Sequence, residues 1–98
     1  NQVHVGHNCV IGKNAVITGN SLLMGSVEIK DNVWISPCST ISNKCIISNN
    51  AFVGSDSLVV NNVGENMRVC GNPAMPVDEY FRILINQKKN IKRRKHEK

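Results

Sequence analysis

Aliphatic residues recur at every sixth position over more than half of this chain: Val5, Ile11, Ile17, Leu23, Ile29, Ile35, Ile41, Ile47, Val53 and Val59, with no gap and no polar substitute. The residue two before each of them (Val3, Cys9, Ala15, Ser21, Val27, Val33, Ser39, Cys45, Ala51 or Ser57) is small or β-branched. A period of six cannot lie on one face of a helix, which repeats every 3.6 residues. It fits a solenoid of very short strands separated by tight turns, with the large aliphatic and the residue two before it both pointing inward. Asn8, Asn14, Asn20, Asn32, Asn50 and Asn62 fall three before a place in that series, where a turn calls for left-handed backbone. Gly6, Gly12 and Gly54 directly follow a member of the series.

The pattern slips once. Glu65 stands where the next aliphatic is due, and the series resumes at Val63 and Val69, two residues early. This predicts an irregular corner at residues 60–62 and two final repeats. The segment Cys70, Gly71, Asn72, Pro73, Ala74 closes the last strand, and the prolines argue against a strand continuing through Met75 and Pro76. From about Val77 the period becomes helical, with Tyr80, Phe81, Leu84, Ile85 and Ile91 on one face and Asp78 and Glu79 at the positive helix end. A helix is expected over residues 80–89, fraying beyond Ile91. The organisation is therefore a solenoid over 1–76 and a helix with a basic tail over 77–98.

The chain has 98 residues, enough for one small domain, and it opens at Asn1 directly on repeat sequence. The expectation is the C-terminal coils of a longer domain, with a thin core that oligomerisation should stabilise. The formal charge of +5 is not spread evenly. Up to residue 76, Lys13, Lys30, Lys44 and Arg68 balance Glu28, Asp31, Asp56 and Glu65. All of the excess lies in the tail, among Arg82, Lys88, Lys89, Lys92, Arg93, Arg94, Lys95 and Lys98. Such a surface suits an acidic partner or is simply solvated. It lacks the interleaved aromatics and recognition motif that nucleic acid binding requires. Four cysteines without a CxxC pair, two of them (Cys9 and Cys45) in the inward column, read as small apolar packing in a reducing compartment. No run is long and apolar enough to cross a membrane as a helix.

Only three histidines are present, and His4 and His7 bracket Val5 in QVHVGHNCVIG. Strand alternation turns His4 outward. His7 lies past Gly6, in a turn. A lone turn histidine is more often incidental than catalytic.

The hexad series resembles the left-handed parallel β-helix of hexapeptide-repeat acyltransferases, in which three hexads make one triangular coil. That resemblance implies an all-β left-handed parallel β-helix with a C-terminal α-helix, and residues eighteen apart stacked into columns. Ordinary crossover rules favour the other hand. More narrowly, QVHVGHNCVIGKNAVITGNSLLMGSVEI resembles the catalytic region of the UDP-3-O-acylglucosamine N-acyltransferases of lipid A synthesis, through Asn1, Gln2, Val5, Gly6, His7, Asn8, Ile11 and Gly12, with Gly25 and Ser26 one coil later. The resemblance implies a cytoplasmic homotrimer that moves an acyl group from the phosphopantetheine thioester of an acyl carrier protein to the amine of a UDP-amino sugar, with no bound cofactor and no metal. His7 would be the general base and the Gly25 amide the oxyanion donor. Gln2, Asn8 and Lys44 would meet substrate, and Arg82, Lys88, Lys89, Lys92 and Arg93 the carrier protein.

The chain departs from that family where a second histidine is expected about two coils on, the place taken by Lys44, and Met24 replaces the usual alanine. GNPA at residues 71–74 is shared with acetyltransferases that use acetyl-CoA, so a nucleotide-sugar N-acetyltransferase is the alternative. A non-catalytic trimerising β-helix is a second. A zinc site of three histidines, as in the carbonic anhydrases of similar fold, lacks its third ligand, since residues 8–95 contain no histidine.

Overall fold

The computed structural model describes residues 2–96, with side chains up to residue 91. Ten two-residue strands follow one another along the repeat: β1 (His4–Val5), β2 (Val10–Ile11), β3 (Val16–Ile17), β4 (Leu22–Leu23), β5 (Glu28–Ile29), β6 (Trp34–Ile35), β7 (Thr40–Ile41), β8 (Ile46–Ile47), β9 (Phe52–Val53) and β10 (Leu58–Val59). They end in β11 (Arg68–Cys70), β12 (Met75–Pro76) and α1 (Val77–His96). Pairing skips two strands each time, giving three sheets in the orders β1-β4-β7-β10, β2-β5-β8 and β3-β6-β9-β11-β12. His4 pairs with Leu22, which in turn pairs with Thr40, so the chain winds into a three-sided parallel coil that closes every eighteen residues.

Up to β10, each corner is turned by one residue in the left-handed region. Asn8, Asn14, Asn20, Ser26, Asn32, Cys38, Lys44, Asn50 and Asp56 all have φ between 56° and 65°. Asparagine tolerates this conformation best after glycine, which accounts for the abundance of Asn at that place. The second residue of each strand and the small residue two before it face the interior. Leu23, Ile29, Ile35, Ile41 and Ile47 are fully buried, each worth roughly 1.5–3 kcal/mol of apolar transfer. Ser21, Ser39 and Ser57 are buried with them, and each hydroxyl is satisfied by a carbonyl: Ser21 donates to Ser36 O at 3.1 Å, Ser39 to Gly54 O at 2.9 Å and Ser57 to Gly54 O at 2.7 Å. Among the described residues no buried side-chain nitrogen or oxygen lacks a partner.

Four expectations are corrected. The inward residues Val5 and Ile11 are 47% and 45% exposed, because no coil stacks before theirs among the described residues. Asn62 is not left-handed. The slip shortens one corner, so Val63 bridges Ile47, and the left-handed residue before β11 is Asn66, with φ 62°. A strand does pass through Pro76, since β12 pairs antiparallel with β11 on the outer edge of its sheet, where a missing N–H leaves no gap in the ladder. Finally, the helix starts at Val77 and its backbone continues to His96. Its inner stripe is Val77, Tyr80 and Leu84, which are half-buried, whereas Phe81, Ile85 and Ile91 are exposed. Tyr80 fixes the dock, as a side chain on Gly71 (φ +107°) would come within 2.9 Å of its ring.

Candidate active site

The left-handed residue of each coil donates its N–H to the coil before, and this stacks the corners. At one corner Ser26 N donates to His7 O at 2.8 Å, and Lys44 N to Gly25 O at 3.0 Å. His7 and Gly25 therefore occupy equivalent places in successive coils, and Asn8, Ser26 and Lys44 form the column beside them. A Cβ built on Gly25 would lie 3.9 Å from His7 O, so the two backbones are in near contact. Gly6 is forced by the same stacking. A Cβ there would lie 2.9 Å from Met24 C and 3.0 Å from Gly25 N, closer than a side chain can stand.

Except at Pro37, the residue before the left-handed one carries an N–H that the coil pattern leaves over. At the second corner side chains take it up: Lys13 N donates to Asp31 Oδ1 at 2.8 Å and Asp31 N to Asn49 Oδ1 at 2.9 Å. At the His7 corner, Gly25 N makes no hydrogen bond among the described residues. Gly25, with a spare donor and no Cβ, shares its corner with the exposed His7, and such a pair can accept a proton on the imidazole and stabilise a nascent negative oxygen at the amide.

The other expected site residues are placed as follows. Asn8 (φ 60°) and Lys44 (φ 65°) are exposed and share the His7 corner, two coils apart, about 9.6 Å at ~4.8 Å per coil. Gln2 stands at a different corner, where its carbonyl accepts from Asn20 N at 2.7 Å, so one chain does not bring it to His7. His4 is exposed on β1, outward as alternation requires. Arg82, Lys88 and Lys89 are exposed on α1. The side chains of Lys92 and Arg93 lie outside the described residues. Two cavities, of about 290 Å³ lined by Asn66, Arg68, Pro76 and Asp78, and about 200 Å³ lined by Asn72, Met75, Tyr80 and Leu84, sit at the helix junction rather than at His7.

Other features were not read from the sequence. Cys9 turns its thiol toward the His7 corner, donating to Met24 O at 3.1 Å. Its place in the inward column indicated burial but not a hydrogen bond. Val16, Trp34 and Phe52 form an outward apolar column that ends with Arg68, whose guanidinium lies 4.5 Å from the centre of the Phe52 ring. An eighteen-residue comb laid from Val16 would have found that column as far as Phe52. Burial raises the pKa of the Cys45 thiol, an effect partly offset by the Ser42 backbone, and burial alone raises that of Cys70. Among the described residues no three His, Cys, Asp or Glu side chains gather as a metal site.

No protein-family model and no curated protein matches the chain. Solved structures do. LpxA from Acinetobacter baumannii is 30% identical with a TM-score of 0.74, over 76% of this chain and 29% of that one. The serine acetyltransferase of Neisseria gonorrhoeae (23% identity, TM-score 0.50) matches over 76% of this chain and 38% of its own. A hexapeptide transferase family protein from Anaplasma phagocytophilum (18% identity, TM-score 0.53) matches over 76% and 63%. The last two likenesses speak to fold alone. This chain thus spans under a third of the LpxA chain it resembles. Its structural neighbours are hexapeptide-repeat acyltransferases, and the fold it shares with them is the left-handed parallel β-helix with a C-terminal helix.

Proposed function

We propose that this chain carries the reactive corner of an N-acyltransferase that uses a phosphopantetheine thioester. One observation carries the reading: His7 and the uncommitted N–H of Gly25 meet at a single corner. The acceptor amine attacks the thioester carbonyl as the His7 imidazole takes a proton from the nitrogen. The carbonyl oxygen becomes an oxyanion held by Gly25 N–H. Collapse forms the amide, breaks the C–S bond and returns the proton from His7 to the departing thiolate. A thioester, an amine and no other reactant balance the step.

The finer assignments rest on the family resemblance. The acceptor is a UDP-amino sugar, with Asn8 and Lys44 on its polar groups, the ammonium of Lys44 suiting a diphosphate. The donor is an acyl carrier protein, whose acidic surface suits Arg82, Lys88, Lys89, Lys92 and Arg93. A corner of a prism is convex, whereas small-molecule sites are concave. A second chain supplies the missing wall in a homotrimer, where Gln2 of one subunit can approach the His7 corner of another. Acyl carrier protein and UDP-sugars put the reaction in the cytoplasm, and no helix among the described residues is long and apolar enough to cross a membrane.

The test is acyl transfer to UDP-amino sugars by the intact protein, with a long-chain acyl carrier protein and acetyl-CoA as rival donors, wild type against His7→Ala. The expected result is turnover with the carrier-protein donor and a loss of about 10²–10⁴-fold in the variant, the usual size of a general base. Turnover with acetyl-CoA alone would assign the donor to the acetyltransferase class, to which the GNPA segment also points. No turnover with any donor would leave a trimerising scaffold.

A further inference from the structure

The peptide bond between Met24 and Gly25 supplies the proposed oxyanion donor at its nitrogen, and its carbonyl end is also held. Cys9 Sγ lies 3.1 Å from Met24 O, within hydrogen-bonding range for a thiol, and 4.0 Å from His7 O. This is not an isolated contact. Inward hydroxyls repeat it fifteen residues on along the same coil, Ser21 to Ser36 O at 3.1 Å and Ser39 to Gly54 O at 2.9 Å. The fold thus has a standing device in which a small inward donor grips the carbonyl just before the next coil's corner. At the His7 corner the nitrogen of that peptide, Gly25 N, makes no hydrogen bond among the described residues; the matching peptides end at Pro37, which has no N–H, and at Ser55, whose N–H is likewise without an acceptor there. On another side the Met24–Gly25 peptide abuts Gly6, where a Cβ would lie 2.9 Å from Met24 C and 3.0 Å from Gly25 N.

We propose that Cys9, together with the bare backbone of Gly6, is a positioning residue for the Gly25 donor: the thiol holds the Met24 carbonyl and so fixes the plane of the Met24–Gly25 peptide. A hydrogen bond accepted at an amide oxygen also strengthens the donor at its nitrogen, since linked hydrogen bonds polarise one another. The catalytic part of this inference rests on the function proposed above. Its structural part does not.

The competing role for Cys9 is packing, and the coil provides the control. Val27 fills the same inward place one coil later and is fully buried. Cys9→Val keeps a filler that this corner accepts and removes the donor, and Cys9→Ser keeps a donor and reduces the filler. In the intact protein, Cys9→Val is expected to lower kcat roughly three- to tenfold with KM little changed, as the loss of one hydrogen bond acting through another group implies, and Cys9→Ser to recover most of that loss. Retention of kcat by Cys9→Val, or an equal loss in both variants, would overturn the proposal. A second readout needs no turnover: the proton chemical shift and exchange rate of the Gly25 amide, followed by NMR. They should move in Cys9→Val and return toward wild type in Cys9→Ser, and an amide unmoved in both would refute the positioning claim. If the wild-type protein transfers no acyl group, the functional reading falls while the amide measurement still decides what Cys9 does.

Discussion

Ile46 donates its backbone N–H to the side-chain Oδ1 of Asn62 at 2.8 Å. The first residue of every other strand from β1 to β10 gives that hydrogen to a backbone carbonyl of the next coil, as Glu28 gives it to Cys45 O and Trp34 to Ala51 O. The two-residue slip takes the matching carbonyl away, and the Asn62 carboxamide stands in for it. Replacing Asn62 with Ala should orphan the Ile46 N–H and cost about 1–2 kcal/mol in urea unfolding, with Asp recovering part of it. A wild-type midpoint for Asn62→Ala would show that water replaces the amide at no cost.

Lys44 offers a separation of stability from function. With φ at 65°, it holds a conformation costly for a residue with a Cβ, and so does Cys38 at 63°. Lys44→Gly and Cys38→Gly should each raise stability by up to about 1 kcal/mol, the left-handed penalty less the glycine's greater chain entropy. If Lys44 meets the acceptor, only its glycine variant will show a raised KM for the UDP-sugar. Equal kinetics in the two variants would remove Lys44 from the site.

Gly6→Ala should be damaging out of proportion to one methyl group. Its Cβ would press on the backbone of Met24 and Gly25, which cannot swing away as a side chain could. A loss of roughly 1–3 kcal/mol is expected from overpacking, accompanied by a fall in kcat. Gly64→Ala is the contrast, because its Cβ would meet only the flexible Met67 side chain.

The thiols give a pH prediction. Burial raises the Cys45 pKa in the folded chain, so between the ordinary thiol value of about 9 and the folded value the unfolded chain has lost a proton that the folded chain keeps. Stability is then unaffected below the ordinary value and falls as pH rises above it. Cys45→Ala should flatten that alkaline decline. Alkylation at neutral pH should label exposed Cys38 quickly and Cys45 only on unfolding. Prompt labelling of Cys45 in the folded protein would contradict its burial.

Charge reversal at Arg82, Lys88 and Lys89 should lower kcat/KM for an acyl carrier protein donor by about tenfold at low salt, less at high salt, and leave a free acyl-pantetheine donor unaffected. Equal loss with both donors would mean that the helix acts on the fold instead.

Much of this architecture is legible from the residues because a six-residue period leaves the aliphatic column a single way to be inside. The buried run from Leu23 to Val59 follows directly. The site was legible only in part. His7 and Gly25 stand eighteen apart in sequence, and one coil brings them together, so resemblance and geometry agree on their proximity. Gln2 turns a different corner of its own chain, which its position in the motif does not reveal. Helical spacing marks Phe81 and Ile85 as part of an apolar face without telling whether that face meets the coil, and both are exposed. The Cys9 bond escaped notice because a thiol in an apolar column looks like filler until the carbonyl fifteen residues on is seen.

The eighteen-residue register held from β1 to β10 makes the β-helix a ruler. Each coil adds a fixed graduation of about 4.8 Å along the axis, so the span between the His7 rim and the docked helix is counted in whole coils. Duplicating residues 27–44 would lengthen that span by one graduation and leave the contact between His7 and Gly25 intact. Any partner gripping both ends at once would register the change.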